Sequence, residues 1–561
     1  MKNWKRLIVT VLALILCFSV STSALALGDT LRWGVYSAPG GLFLSGIYQT
    51  MYDRYVMELT CDPLMFLDES TDEESYLPRL ATSWDISEDG LTYTFHLAEG
   101  VTWHDGEPFT ADDVAFDLVT QCDGRLNASG YVSTFSKIVG APEYFAYTEA
   151  LGKGEADGMD VVETVSGVQV IDEHTVSVTL SETYAPFLSA GLNAFFIYPK
   201  HIWENIPVEE WRTCDQLHTP IGTGAYKFVK YEQDQYVEMV ANEDYFLGAP
   251  KIKNFIYKIV NQDTAQVELI NGDLDVVSMI SNPTKEVMDN YTNNNMNVIE
   301  FADAGYQYMI YNTQLEKLSN PKVREAITTA INRQGIVDSL LAGHGAVMDA
   351  PIFHDSWAYP DDLNPHTYDP EAAKAMLAEA GVEDTNGDGK LDFNGEQFTL
   401  ELLCPVGNKV REQCAVVIQQ CLAQIGIDVT VETLEFNTLL DRVVYNKEFE
   451  LSLLGLSVSL DPSSIYTCFH SDNQFVNGTN NLSQWALPEL DELIEKGTQV
   501  VDPAERKEIY SKAAHILNEN QPECWLYCAN EIRATRPELK GYALNNSAEF
   551  LDVQNWYFEE N

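Results

Sequence analysis

The sequence contains few basic residues. Its 561 residues include 34 Lys and Arg against 85 Asp and Glu, which gives a formal net charge of −51. Proteins that bind nucleic acids need a basic surface to neutralise phosphates, so this composition argues against that class. The excess of carboxylates favours solubility, and it identifies neither a fold nor a ligand.

The motifs of common catalytic centres are missing too. The chain has no G-x-S-x-G, no H-E-x-x-H and no G-x-G-x-x-G that opens a helix. Carboxylates are so frequent that no pair stands out as a glycosidase dyad. His96 and His104 follow strand-like patterns, and we predict that they are hydrogen-bonded structural residues. An enzyme therefore finds little support.

Cysteines occur without the C-x-x-C spacing of zinc sites. One of the ten, Cys17, lies in the N-terminal segment, and an odd number therefore remains, so at least one is unpaired or forms an intermolecular bond. We predict small buried apolar side chains rather than a disulfide framework. Cys524 and Cys528 could form a bridge only if their segment is not a strand.

Outside the N-terminus, the chain lacks a run of about 20 apolar residues, the length of a transmembrane helix. A shorter apolar stretch, 7–20, follows three basic residues and precedes an A-x-A sequence at 24–26. This is the pattern of a secretory signal peptide. We predict that residues 1–26 are removed and the protein is exported. The alternative is lipoprotein processing at Cys17, where the preceding residue is a poor match.

Residues 90–116 read GLTYTFHLAEGVTWHDGEPFTADDVAF. Apolar and polar side chains alternate over 91–97, which predicts a half-buried strand. A second, short strand is predicted at 101–104, before an Asp-Gly turn at 105–106. Thr110 is the predicted cap of a helix with acidic residues in its first turn.

This stretch resembles the signature of the family 5 extracellular solute-binding proteins, the peptide- and nickel-binding receptors of ABC importers. Further segments match the family's motifs in the same order along the chain. They are LPRLATSW with SEDG (77–90), PIGTGAYKF (220–228), NEDY with GAP (242–250), NGDLD (271–275), VREAI with INR (323–333) and YDP before AG (368–381). One such motif is weak evidence, whereas the ordered set is highly specific.

The resemblance implies an α/β fold of the periplasmic-binding-protein type, in which two lobes are joined by a hinge and accompanied by an additional α/β domain. The predicted ranges, used below under these names, are lobe I (27–66, 201–300 and 530–561), the extra domain (67–200) and lobe II (301–529). Independently of the resemblance, strands at 400–403 and 427–432 around a helix near 411–424 predict a βαβ unit with parallel strands.

Residues 384–392 are similar to a calcium-binding loop. The oxygen donors at positions 1, 3, 5 and 9 of the EF-hand pattern are Asp384, Asn386, Asp388 and Asp392. Gly389 stands at position 6 as the pattern requires, but position 12 is Gly395 and the acid follows one residue late. We predict either a structural calcium ion or an Asp/Gly-rich hairpin, and no other cofactor.

The resemblance also indicates a ligand site. In peptide receptors of this family, an Asp three residues before a D-P pair anchors the peptide's α-ammonium group. Here the pair is Asp461-Pro462 and the anchor position holds Val458. Because a charge-assisted bond is lost, we expect a peptide with a blocked N-terminus to bind as well as a free one. The predicted ligand contacts are Gly455, Leu456, Ser457, Val458, Asp461, Tyr306 and Trp357.

The resulting prediction is an extracytoplasmic receptor, at the cell surface or in the periplasmic space. It captures a solute, with peptides as the leading class, and delivers it to an ABC permease. We expect a monomer that binds no nucleic acid. The alternatives are a receptor for a sugar, an opine or a metal complex, and a peptide-sensing co-receptor without transport.

Overall fold

The computed structural model describes residues 28–48, 50–68, 74–128, 134–280, 283–476, 479–542, 545 and 548–559. The predicted signal peptide and Cys17 lie outside these ranges. None of the described helices combines the length and apolar character that a membrane span needs.

A mixed sheet of 12 strands extends through both lobes. Its strands in lobe I are Thr30–Val35, Tyr226–Glu232, Tyr236–Ala241, Asn254–Ile259, Val276–Val277 and Asn297–Ala302, the last of which extends two residues past the predicted limit of this lobe. Its strands in lobe II are Gly305–Tyr311, Gly345–Ala346, Thr399–Pro405, Asp428–Leu434 and Leu451–Ser457. The last strand, Glu523–Thr535, passes from lobe II into lobe I and is called the crossing strand.

The lobes are connected where two chain segments run side by side. The crossing strand pairs with Gly305–Tyr311 in its first half and with Asn297–Ala302 in its second half. Between those two strands, Asp303 donates its backbone N–H to the Ala529 carbonyl oxygen at 3.0 Å. The crossing strand and the segment around Asp303 are thus two adjacent connections between the lobes. Connections of this type form a hinge between domains.

The predicted βαβ unit is confirmed. Thr399–Pro405 and Asp428–Leu434 pair in parallel along their whole length, and the helix Lys409–Gln424 connects them. The helix begins at Asn408, whose side chain accepts the Arg411 N–H, as an N-cap residue does.

The extra domain contains a four-stranded antiparallel sheet. In order across the sheet, the strands are Ala81–Ile86, Thr92–Leu97, Thr175–Thr179 and Val168–Asp172. Thr92–Leu97 alternates buried and half-buried residues, which confirms the predicted strand. The helix Ala111–Gln121 follows, and the Thr110 backbone N–H donates to the Asp113 carboxylate at 2.9 Å.

The predicted strand at 101–104 is wrong. Its segment turns back on itself: Trp103 donates its N–H to the Glu107 carbonyl at 2.8 Å, and Phe109 donates to the Val101 carbonyl at 3.0 Å. The chain reverses within the predicted strand, where Gly106 donates its N–H to the Trp103 carbonyl at 2.9 Å, so only an isolated bridge between Thr102 and Pro108 forms. Apolar side chains alternate here because Trp103 enters the core, where it is 1% exposed.

The remaining elements lie around these sheets. Three two-stranded pairs are Met65–Leu67 with Tyr76–Pro78, Asp392–Phe393 with Glu396–Gln397, and Leu539–Lys540 with Tyr557–Phe558. The other α-helices are Met51–Thr60, Ala141–Lys153, Lys200–Trp203, Gln262–Asn271, Lys285–Asn293, Glu316–Ser319, Pro321–Ala330, Arg333–Leu340, Pro370–Glu379, Phe436–Leu440, Ile465–Phe469, Pro488–Gln499 and Pro503–Asn520. Short 3₁₀ or π turns are Phe135–Lys137, Phe187–Leu192, Val208–Glu210, Asp215–His218, Asp441–Tyr445, Pro462–Ser464, Ser471–Asn473 and Val553–Asn555.

The cysteines of the described chain are free, and all except Cys214 are buried. Cys524 and Cys528 lie in the crossing strand, a conformation that does not suit a bridge between them. The prediction of small buried apolar side chains is confirmed for these eight of the described cysteines. The predicted structural histidines are hydrogen-bonded too, His96 to Asp85 and His104 to the Gly224 carbonyl, each at 2.9 Å.

Candidate functional site

The segment predicted to contact a ligand reaches the hinge. The strand Leu451–Ser457 runs antiparallel to Gly305–Tyr311, with Ser457 opposite Gly305 and Gly455 opposite Gln307. Val458, just beyond the strand, donates its N–H to the carbonyl of the hinge residue Ala304 at 3.0 Å.

One edge of this strand is open at the hinge. The neighbouring strand Thr399–Pro405 pairs with it only at Leu451 and Ser452, and no other described strand continues that edge. In an antiparallel pair, successive residues direct their backbone groups to alternate edges. Because Val458 bonds toward Gly305–Tyr311, the backbone groups of Ser457 and Gly455 face the open edge. Both residues are exposed.

Other predicted contacts lie on the opposite face of the sheet. Leu456, Val458 and Trp357 are half-buried and pack against a core cluster of lobe II that includes Tyr306. Tyr306 is 2% exposed, so it belongs to the core rather than to a solvent-facing wall. The strand pairing therefore separates the predicted residues into an exposed pair, Gly455 and Ser457, and a set in or against the core.

Asp461 is buried in an ion-pair network between lobe II and the extra domain. Its carboxylate accepts hydrogen bonds from Arg506 Nη2 at 2.8 Å, Ser189 Oγ at 2.9 Å and the Ser463 N–H at 2.9 Å. Burial alone would raise the pKa of Asp461, but the Arg506 guanidinium holds it below its usual range. Arg506 also donates to Glu74 at 2.6 Å.

Trp357 belongs to the same network. The Arg506 guanidinium lies over its ring, 5.2 Å from the centroid, and 5.5 Å from the ring centroid of Tyr510. Asp461 and Trp357 thus contribute to a contact between domains, and Asp461 also caps the turn Pro462–Ser464.

Sequence reasoning did not identify Arg411, which lies beside the exposed pair. Its Nε and Nη2 donate to Gln307 Oε1 at 3.1 and 2.7 Å, and it forms no ion pair with any described residue. Burial lowers the pKa of Arg411. Its Nη2 lies 3.0 Å from the position that a Cβ on Gly455 would take. The only signal in the sequence was a basic residue in the first turn of a helix, where the helix dipole disfavours it.

The loop at 384–392 is shaped by its own backbone. The side chains of the four predicted donors, Asp384, Asn386, Asp388 and Asp392, accept N–H bonds within the loop at 2.7 to 3.2 Å. Among the described residues, no group of three or more His, Cys, Asp or Glu side chains could hold a metal ion. Calcium binding by this loop stays a prediction.

A model of the family described as bacterial extracellular solute-binding proteins, family 5, middle, matches residues 75–476. The chain belongs to this family. The oligopeptide-binding protein AppA of Bacillus subtilis is 31% identical over 497 residues, which cover 88% of this chain and 85% of AppA. The dipeptide-binding protein of Escherichia coli is 28% identical over 513 residues, 90% of this chain and 89% of that protein.

Solved structures of family 5 relatives share the fold. AppA of Bacillus subtilis in complex with a nonapeptide has a TM-score of 0.71 at 28% identity, covering 95% of this chain and 99% of that one. NikZ of Campylobacter jejuni in complex with Ni(L-His) has a TM-score of 0.72 at 27% identity, covering 94% and 99%. The predicted α/β fold, two-lobed with a hinge, is thereby confirmed, while the predicted domain limits stay a prediction.

Proposed function

We propose that this family 5 protein is an exported peptide receptor, a monomer that delivers its ligand to the permease of an ABC importer and catalyses no reaction. The observation that carries the proposal is the open backbone edge at Gly455 and Ser457 beside Arg411. An extended peptide can add to such an edge through main-chain hydrogen bonds. The peptides bound by AppA and by the dipeptide-binding protein support the same class.

Arg411 gives the site a preference for anions. Among the described side chains, its guanidinium hydrogen-bonds only the neutral Gln307, so a ligand carboxylate would form a charge-assisted and bidentate pair with it. In a peptide, this carboxylate is the C-terminus or an acidic side chain. A metal complex of an amino acid, such as the one bound by NikZ, also carries a carboxylate and is the second candidate.

The experiment is a thermal-shift screen of the mature protein, refolded to remove bound ligand. A ligand that binds only the folded form at a hundredfold excess over Kd stabilises it by about 2.7 kcal/mol. We expect peptides to raise the melting temperature, and sugars and nickel–histidine complexes to leave it unchanged. Hits confined to sugars or metal complexes would contradict the peptide proposal.

Arg411→Gln tests the site itself. We expect it to weaken binding of peptides with a free carboxylate by roughly tenfold or more, since a hydrogen bond to a charged group contributes about 1.5–3 kcal/mol. C-terminally amidated, acid-free peptides should bind both forms equally. The matched control is Arg442→Gln, because Arg442 pairs with Glu401 and Glu432 on the surface of lobe II. Equal losses in both variants would place the ligand elsewhere.

A further inference from the structure

A carboxylate without an ion-pair partner among the described residues lies in the hinge beside the exposed pair. Asp303 follows the last strand of lobe I, and its backbone carbonyl accepts the Gly305 N–H at 2.8 Å. This turn places the Asp303 side chain over Gly305, with Oδ2 3.7 Å from the position that a Cβ on Gly305 would take. Gly305 is directly opposite Ser457.

Asp303 and Arg411 therefore mark two ends of one face. Paired residues share a face of a sheet and side chains alternate along each strand, so Gly305 and Ser457 lie on the same side as Gln307 and Gly455. Asp303 Oδ2 lies at the Gly305 end and Arg411 Nη2 at the Gly455 end. These positions are two residues apart along the strands, roughly 7 Å.

The charge of Asp303 is not balanced by any ion pair within the described part of the chain. Among the described residues it forms no ion pair, and its charged neighbour Glu531 is an acid that already has a partner, Arg533, at 2.8 Å. Burial and Glu531 together raise the pKa of Asp303 to about 6. A cation at this point would lower the free energy of the charged form, and the described chain supplies none.

Given the peptide-receptor function proposed above, on which this assignment rests, we infer that Asp303 binds the α-ammonium group of the peptide. It would replace the carboxylate that is absent at Val458. The peptide would then lie with its N-terminus at the hinge and its C-terminal side toward Arg411. This orientation matches the negative and positive ends of the face, and it reverses the expectation that blocked and free peptides bind equally.

The test is a competition between free and blocked peptides. Refolded protein is incubated with a synthetic library of lysine-free peptides, two to nine residues long, mixed with an equal amount of the same library after N-terminal acetylation. Retained peptides are quantified by mass spectrometry.

We expect wild-type protein to prefer free peptides over acetylated ones by roughly tenfold or more. The Asp303→Asn variant should retain free peptides only as well as acetylated ones. The matched control is Glu531→Gln, which removes the neighbouring acid and should keep the preference.

The possible results distinguish failure of the proposed function from failure of the role assigned to Asp303. If wild type retains no peptide, the proposed function fails. If wild type retains free and acetylated peptides equally, the function stands and the role of Asp303 is overturned. If the preference persists in Asp303→Asn, another acid is the anchor. Because Asp303 forms no ion pair with a described residue, we expect Asp303→Asn to melt at or above the wild-type temperature, and Asp303→Ser provides a second neutral variant.

Discussion

Glu523, the first residue of the crossing strand, is a carboxylate enclosed in the core of lobe II. It is 2% exposed, and its Oε2 accepts a hydrogen bond from Trp525 Nε1 at 3.2 Å. No described cation pairs with it. Burial therefore raises the pKa of Glu523 to about 8. A group whose pKa is raised by folding adds stability below its unfolded pKa, and this contribution is lost as the pH rises through the folded value.

We therefore predict that Glu523→Gln stabilises the protein at high pH. The free energy of unfolding of the variant, relative to wild type, should increase between pH 5 and pH 9 by a few kcal/mol, since one pKa unit corresponds to about 1.4 kcal/mol. Urea unfolding at several pH values measures this difference. In Glu268, a hydrogen bond from Lys258 lowers the pKa of the carboxyl, so this group is ionised in the folded and unfolded forms across this pH range, and Glu268→Gln should show no comparable change. The same trend in both variants would contradict the explanation.

At the scale of elements, residues 101–109 form a tight turn whose apolar side chains alternate as they would in a strand. Trp103 packs edge-on against Phe109, with ring centroids 5.9 Å apart, inside the core of the extra domain. The turn thus serves the core of one domain, whereas the proposed ligand site lies at the hinge.

We expect Trp103→Ala to lower the free energy of unfolding by about 3–5 kcal/mol, because it leaves a cavity in a closely packed core. The peptide affinity of the folded fraction should stay at the wild-type value in calorimetry. Trp103→Phe keeps an aromatic ring and should cost less. A stable Trp103→Ala variant that cannot bind peptide would show that this element contributes to the ligand site.

At the scale of the whole molecule, a few polar contacts hold the extra domain against lobe II. Arg506 donates to Glu74 and Asp461 accepts from Ser189, and the Ala185 N–H donates to the Thr498 carbonyl at 2.7 Å. These contacts span the two bodies that a hinge motion would separate. Arg506 is 1% exposed, so the network excludes water.

Arg506→Met should favour an open molecule. Removing one partner of a buried ion pair costs about 3–5 kcal/mol, and part of this loss falls on the pair between Arg506 and Glu74, which joins lobe II to the extra domain. We expect a larger radius of gyration for the ligand-free variant in small-angle X-ray scattering. Arg324→Met is the matched control, because Arg324 is as deeply buried but donates only to carbonyl groups within lobe II. An equal expansion in both variants would point to general loosening.

The sequence by itself determined the family, the export signal as a prediction, and the elements whose patterns are local. The helix Gln262–Asn271 ends at Gly272 in a left-handed conformation, the end that a glycine in this position favours. The parallel strands around Lys409–Gln424 were predicted because periodicity and turn residues lie within one short segment. The Asp461-Pro462 pair identified the segment around Gly455 as a candidate ligand site.

The tertiary structure alone decided which side chains share the site. Asp303 lies beside Gly305, which pairs with Ser457, and Arg411 lies beside Gly455, through the antiparallel register between two strands far apart in the chain. A shift of that register by one residue would turn these side chains to the other face, and no local pattern reveals it. The same applies to Asp461, whose partners Arg506 and Ser189 come from distant segments. Contacts of this kind depend on how complete domains pack, which no single stretch of sequence encodes.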